Sequence, residues 1–170
     1  MSVSLRPATN ADVPYLVELL GSEDVAPFLA AVRAFTAVAV AEEVTRSERE
    51  PEAFGVLIVE VDGEAAGTMA WERVNRRSRI ASVGGLAIAP GFRGTGVGVE
   101  AARAIQRRLL GDLGFLRIQI EVYGFTERAL RHAERAGWIR EGVRRKAYWR
   151  NDEWVDGVLF GLVAEDLDPS

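Results

Sequence analysis

The sequence predicts a mixed α/β (α+β) domain built on a mostly antiparallel sheet of about six to seven strands flanked by helices. Three observations predict it. Phe54 to Val61 and Ala65 to Val74 flank Asp62-Gly63, the dipeptide best suited to a two-residue hairpin turn. Residues 80–122 then read as strand, glycine-rich loop, helix and strand. Val143 to Arg150 and Trp154 to Val163 flank Asn151-Asp152-Glu153, a turn composition, so a second antiparallel hairpin closes the chain. With 170 residues, 48% of them hydrophobic, one domain spanning 1–170 has enough apolar surface for a substantial core.

Taken in order, Leu5-Arg6-Pro7 reads as a short first strand. Val13, Leu16, Val17 and Leu20 then mark a helix capped by Thr9 or Asn10, with Pro14 tolerable in its first turn. Residues 22–50 read as one or two helices: Phe28, Leu29, Val32 and Phe35 form one stripe, and Val40 and Val44 a second behind Thr36 as cap. Asn75 to Ser78 turns the chain into Ile80 to Ile88, apolar enough for a central strand and stopped by Pro90-Gly91. Val97, Ala101, Ile105 and Leu109 share one helix face, with Gly111 as its expected C-cap. Phe115 to Val122 alternates as a fifth strand, and Thr126 caps a helix whose Ala129, Leu130, Ala133 and Ala136 face inward before Gly137.

Between the central strand and its helix lies Arg93-Gly94-Thr95-Gly96-Val97-Gly98. Glycines at 94, 96 and 98 remove side chains that would hold an anion away from the backbone, so successive N–H groups can converge on phosphate at the positive end of a helix. Taken alone, the stretch fits a glycine-rich turn equally well.

Composition excludes much other chemistry. The absence of cysteine removes disulfides, thiolate metal sites and a cysteine nucleophile, and a single histidine makes a zinc or serine–histidine centre an unlikely design, so no metal is expected. The long apolar region Phe28 to Ala41 is broken by Arg33, and the N-terminus lacks the order of a signal peptide; the expectation is a cytoplasmic protein without a membrane partner. Arg144, Arg145, Lys146 and Arg150 with Tyr148 and Trp149 alternate as a half-buried strand requires, and the net charge is -4, so nucleic acid is not an expected partner.

Strand, Pro90-x-x-Arg93-Gly94-x-Gly96-x-Gly98, helix, strand, then a helix ending in Gly137-Trp138, resembles the GNAT superfamily of acyl-CoA-dependent N-acetyltransferases. The closing segment, Gly137 to Gly142 followed by Arg145, Tyr148, Asp156 and Phe160-Gly161-Leu162, is similar to the branch that acetylates ribosomal-protein N-termini and spermidine. The resemblance implies acetyl-CoA as co-substrate, its pyrophosphate on the backbone of Arg93, Gly94, Thr95, Gly96, Val97, Gly98 and Val99, with Thr126 standing where a cofactor-contacting asparagine is frequent. It also implies a pantetheine arm lying along Leu86, Ala87 and Ile88, and a Leu86 amide that polarises the thioester carbonyl. Gly84-Gly85 supports this with a bulge that splays the central strand from Phe115 to Val122 and opens a slot.

Two departures bear on mechanism. The tyrosine that many members use to protonate the leaving thiolate is Ala133, and the strand position of a frequent glutamate base is Ser82. Glu72 becomes the candidate base, because the turn at Asn75 to Ser78 brings residue 72 opposite 81 or 82. Tyr148 is the candidate acid, though a core aromatic role suits it better, and His132 reads as surface. The expected activity is direct transfer from acetyl-CoA to a primary amine of a small molecule or a peptide N-terminus. Specificity is expected from residues 22–50, the hairpin ends and the last two strands, with Phe28, Phe35, Trp71, Trp149 and Trp154; the closing hairpin's apolar edge also allows a homodimer.

Two alternatives stay open from the sequence. Gly96-x-Gly98-x-x-Ala101 formally fits a dinucleotide fingerprint, with Glu121 at about the distance of the ribose acid, which allows an NAD-binding oxidoreductase, although an antiparallel close to the chain opposes a doubly wound sheet. A catalytically silent acyl-CoA sensor is the other, suggested by Ala133 and Ser82.

Overall fold

The computed structural model of the protein describes residues 1–29 and 35–167. Seven strands form one sheet: β1 (Val3–Pro7), β2 (Phe54–Val61), β3 (Glu64–Asn75), β4 (Ile80–Ile88), β5 (Arg117–Tyr123), β6 (Ile139–Arg150) and β7 (Glu153–Val163). Their spatial order is β1-β2-β3-β4-β5-β7-β6, and every pair is antiparallel except β4 with β5. That order is not doubly wound, which removes the dinucleotide alternative. Among the described residues, four α-helices cover the sheet: α1 (Val13–Gly21), α2 (Ala37–Arg49), α3 (Val97–Gln106) and α4 (Glu127–Arg135).

The two faces are fixed by alternation on β2. Phe54, Val56 and Ile58 pack against Val13 and Leu16 of α1 and Val40 and Val44 of α2, while Val59 and Val61 pack with Val97 and Ala101 of α3. A strand covered on both sides has no place for polar residues, which is why β2 reads as an almost unbroken apolar run. Both hairpins use two-residue turns with positive φ at each central position: Asp62 at 50° and Gly63 at 85°, Asn151 at 54° and Asp152 at 58°. These are the primed turns that match strand twist. The closing turn is therefore Asn151-Asp152, and Glu153 already belongs to β7.

Several boundaries differ from the sequence expectation. Ahead of α2, the described residues hold only a 3-10 turn at Ala26–Phe28; Val32 of the expected stripe lies outside the described residues. Thr36 caps α2 as expected, its hydroxyl accepting from the Ala39 amide at 3.2 Å. Gly111 is not the cap of α3. The helix continues as a π-helical turn over Arg107–Asp112, whose wider winding buries both Leu109 and Leu110, and the left-handed stop falls at Gly114 (φ 71°). Phe115 precedes β5 and packs edge-on against Trp71 at 5.6 Å between centroids. At the far edge, β6 begins at Ile139, four residues before the expected strand, and with the hairpin leaves Ile139, Val143, Trp149 and Trp154 exposed.

Trp71 on β3 explains Gly55 on β2. The two stand opposite each other, and a Cβ at position 55 would lie 2.8 Å from Cδ1 and 2.9 Å from Cε2 of an indole that is only 2% exposed. Because that ring is wedged between β2 and Phe115, it cannot step aside. Gly55→Ala is expected to destabilise the fold by about 1–3 kcal/mol through overpacking, lowering Tm by roughly 3–10 °C in a thermal melt; an unchanged Tm would show that the indole has room to move.

Candidate functional site

The glycine loop presents open backbone at a helix N-terminus, the geometry of a candidate anion cradle. After β4 the chain makes a 3-10 turn at Pro90–Phe92, and Gly94 (φ 73°) and Gly96 (φ 88°) then take left-handed conformations, Gly96 serving as N-cap of α3. A Cβ at either glycine would meet nothing within 4 Å, so backbone conformation and not packing selects them, and the space beside them is open. The first intrahelical bond of α3 runs from the Glu100 amide to the Gly96 carbonyl at 3.1 Å, which leaves the Val97, Gly98 and Val99 N–H groups without helical partners. Thr95 steadies the loop by donating its hydroxyl to the Phe92 carbonyl at 2.5 Å.

Arg93 anchors the cradle from outside. Its Nε donates to the Ile88 carbonyl at 2.8 Å and its Nη1 pairs with Asp24, so the side chain ties the loop to the end of β4 and to the α1–α2 connection. Gly98 has a different reason from its neighbours: a Cβ there would sit 3.1 Å from Cε1 of His132 on α4 and 3.6 Å from Cγ1 of Ile88. His132 is accordingly not a surface residue. Its Nε2 is buried without a hydrogen-bond partner, and burial, reinforced by Arg135 and Arg128, lowers its pKa, so the ring is neutral at pH 7.

Beside the cradle the sheet opens. β4 pairs with β5 only over Ile80–Ser82 against Arg117–Gln119, after which the strands part. The cause is on β4, where Gly84 pairs with Ala70 and Ala87 with Thr68, leaving Gly85 (φ 63°) and Leu86 opposite Met69 alone. This bulge turns β4 away from β5. Leu86 and Ile88 then point toward Val97 and Ala101 of α3, while Ala87 packs on the other side with Leu19 and Val25. Leu86, Ala87 and Ile88 thus form the open edge of β4, leading from the slot to the cradle.

On the sheet face opposite α3 and α4, Glu72 stands directly across from Ser82, which in turn neighbours Gln119 of β5. Its Oε1 accepts from Arg46 Nη2 at 3.0 Å, and that guanidinium lies 4.3 Å above the Phe54 ring. Tyr148 lies on the same face across β7, where its Oη donates to Glu121 Oε2 at 2.6 Å. Arg144 Nη1 closes on both Glu121 oxygens at 2.9 and 3.0 Å. Glu121 belongs to β5 and Tyr148 to β6, and they meet over Gly157 of the intervening strand, where a Cβ would come 2.9 Å from Glu121 Cδ. Burial first, then the Glu121 hydrogen bond, push the Tyr148 phenol up to about 12.

Other expected positions play structural parts. Thr126 occupies the N-cap of α4, but its hydroxyl turns back to donate to the Tyr123 carbonyl at 2.6 Å. Ala133 is 1% exposed within the core that contains Ala102 and Leu109. Sequence reading missed Glu121 as part of this face, together with Tyr123, Phe125 and Arg150. The signal was present in β5, where Gln119, Glu121 and Tyr123 recur with period two, but their partners lie on β6, two strands away. Among the described residues no three His, Asp or Glu side chains converge as metal ligands, and no helix is long and apolar enough to cross a membrane.

Comparison with known proteins gives this geometry its context. The family model described as the acetyltransferase (GNAT) domain matches residues 2–139. The SPbeta prophage-derived uncharacterized N-acetyltransferase YokL of Bacillus subtilis (strain 168) is 25% identical over 126 residues, covering 74% of this chain and 71% of its own. RimJ of Mycobacterium smegmatis, solved in complex with CoA-disulfide, superposes with a TM-score of 0.84 at 19% identity, over 99% of this chain and 85% of that one. The ribosomal-protein-S5-alanine acetyltransferase from Vibrio fischeri gives 0.83 at 17% identity, over 99% and 97%. A variant of the spermidine N-acetyltransferase SpeG from Vibrio cholerae gives 0.82 at 16%, over 98% and 96%. The chain belongs to the GNAT family and is an acyl-CoA-dependent N-acetyltransferase.

Proposed function

We propose that the protein transfers an acetyl group directly to a primary amine, of a small molecule or a peptide N-terminus, within a ternary complex. The observation that carries this reading is the parting of β4 from β5 beyond Ser82 and Gln119, with the cradle at one end of the gap and Glu72 on the face behind it. Acetyl-CoA is the donor of the family, and the residues fit it: open left-handed glycines, three helix N–H groups without helical partners and a β4 edge unpaired beyond Ser82. Bound there, it would supply a thioester whose C–S bond breaks as the N–C bond forms, the sulfur leaving as a thiolate that solvent protonates while the amine's proton passes to a base of the chain.

The chain's own groups divide the remaining work. Backbone amides from Gly94 to Val99 hold the phosphates, and the edge of Leu86, Ala87 and Ile88 aligns the arm. The Leu86 N–H, at the bulge, is the donor toward the thioester carbonyl. Glu72 receives the amine proton directly or through water: Arg46 holds its Oε1, and Oε2 carries no hydrogen bond among the described residues. Tyr148 is a poor proton donor to a thiolate, because its phenol is held near 12 whereas an ordinary thiol lies near 8.5; solvent serves the leaving thiolate. Holding two reactants in line provides most of the rate, and no side chain is placed to carry the acyl group itself.

Three measurements test this reading. Because the chain contains no cysteine, a disulfide-exchange dye reports only released coenzyme A; thiol release that requires both acetyl-CoA and an amine is expected, and tight acetyl-CoA binding without release by any amine would turn the protein into a sensor. Gly96→Asp is expected to abolish acetyl-CoA binding in calorimetric titration while the fold persists, since a side chain and a negative charge would enter the cradle; retained affinity would remove the phosphate assignment. Glu72→Gln is expected to lower kcat by about 10- to 100-fold, most strongly below neutral pH, with acetyl-CoA affinity intact. A pH–rate profile identical to the wild type would pass the proton to water or another carboxylate.

A further inference from the structure

On the ledge formed by β5, β7 and β6, Arg150 is a cation that the fold orients without a carboxylate partner among the described residues. Arg150 Nη1 donates to the Trp149 carbonyl at 2.7 Å, and the guanidinium carbon lies 5.2 Å from the Tyr123 ring and 5.8 Å from the Tyr148 ring. Its register partner on β7, Glu153, makes no ion pair with it among the described residues, so the rest of the guanidinium fork is free to meet a ligand. Two aromatic faces restrict it, so little further order is lost when it binds an anion.

The carboxylates around the slot have the opposite status. Glu72 is held by Arg46, Glu121 by Arg144 and Tyr148, Glu141 by Arg117 at 2.5 and 2.8 Å, and Asp24 by Arg93, while Asp156 accepts from the Lys146 amide at 2.8 Å. A second ammonium near the slot would find these carboxylates already engaged, whereas Asp152 and Glu153 at the hairpin tip make no ion pair among the described residues. Next to Arg150 the face is aromatic: Tyr123 stacks on Phe125 at 5.4 Å, and Phe125 meets Phe28 at 6.5 Å.

Resting on the acetyl-transfer reading, we propose that the acceptor is an amine that also bears a carboxylate, and that Arg150 binds this carboxylate while the amine reaches the slot beside Glu72. A planar guanidinium suits a planar carboxylate by paired hydrogen bonds, and the exposed rings of Phe125 and Phe28 are there to cover the apolar part of such a molecule. Arg150 is then a specificity-determining contact for the acceptor, remote from proton transfer.

The test uses the full chain and thiol release with α-amino and ω-amino carboxylic acids, their matched carboxamides, and spermidine. The wild type is expected to show kcat/KM at least about tenfold higher for the best carboxylate than for its carboxamide, the scale of one charge-assisted contact. Arg150→Gln is expected to raise KM for that carboxylate about tenfold or more, leave kcat within about twofold, and leave the carboxamide and acetyl-CoA unaffected; Arg150→Lys should fall between. Carboxamides or spermidine used as well as the carboxylates by the wild type would overturn the inference and leave acetyl transfer standing, as would an Arg150→Gln enzyme that weakens both members of a pair equally. If the Gln variant fails to fold, the wild-type comparison decides alone. No thiol release with any amine overturns the inference together with the reading beneath it.

Discussion

Three residues of pairing between β4 and β5 are the constraint on which the rest of the site depends. A parallel ladder continued beyond Ser82 and Gln119 would close the slot and satisfy the edge of Leu86 to Ile88 within the protein. The bulge at Gly85-Leu86 prevents that by placing two residues of β4 against one of β3. Since β4 leads directly into the glycine loop, the deviation that opens the slot also sets where Gly94 and Gly96 fall relative to α3. The slot and the cradle are consequences of one local irregularity, held by Arg93 bonding back to the Ile88 carbonyl.

The other side of the slot is stabilised across β7. Small residues on that strand let side chains of β5 and β6 meet over it: Glu121 with Tyr148 and Arg144 above Gly157, and Arg117 with Glu141 above Gly161, where a Cβ would come 2.7 Å from Arg117 Nη1. Exposed ion pairs contribute little to stability individually, so their importance here is positional. They fix the direction of each guanidinium and occupy each carboxylate, which leaves the ledge with a defined pattern of available charge. Gly157 is therefore as much a part of this face as Tyr148.

Local chemistry was legible in the sequence and distant pairing was not. Asp62-Gly63 announced its turn because positive φ at two positions selects those residues, and Gly94 and Gly96 announced the cradle for the same reason. The register of Glu72 with Ser82 followed from the short connection between β3 and β4. Gly98 looked like a third member of the glycine set, yet its reason is the approach of His132 from α4, a contact between residues 34 positions apart that no local pattern encodes. Gly111 shared the composition of a helix cap, but two adjacent buried leucines favoured a π turn and moved the stop to Gly114. The partnership of Glu121 with Tyr148 depends on the insertion of β7 between β5 and β6, a matter of topology.

The single histidine shows how packing has narrowed the chemistry. An imidazole beside such a loop would be a natural general base or a cationic phosphate ligand, yet burial, Arg135 and Arg128 all disfavour its charged form, and its ring lies against Gly98. It therefore joins α4 to the first turn of α3, packing against the helix N-terminus of the candidate cradle. With the thiol absent from the chain, the His132 imidazole buried where its protonated form is disfavoured and the Tyr148 phenol held protonated, carboxylates and water are the better placed proton acceptors. Of the carboxylates, Glu121 is saturated by Arg144 and Tyr148, whereas Glu72 keeps one oxygen available on the strand that flanks the slot. The sheet thus reaches its candidate base by elimination as well as by register, and a thioester, which needs little assistance beyond alignment with its amine, is a substrate that so spare a site can serve.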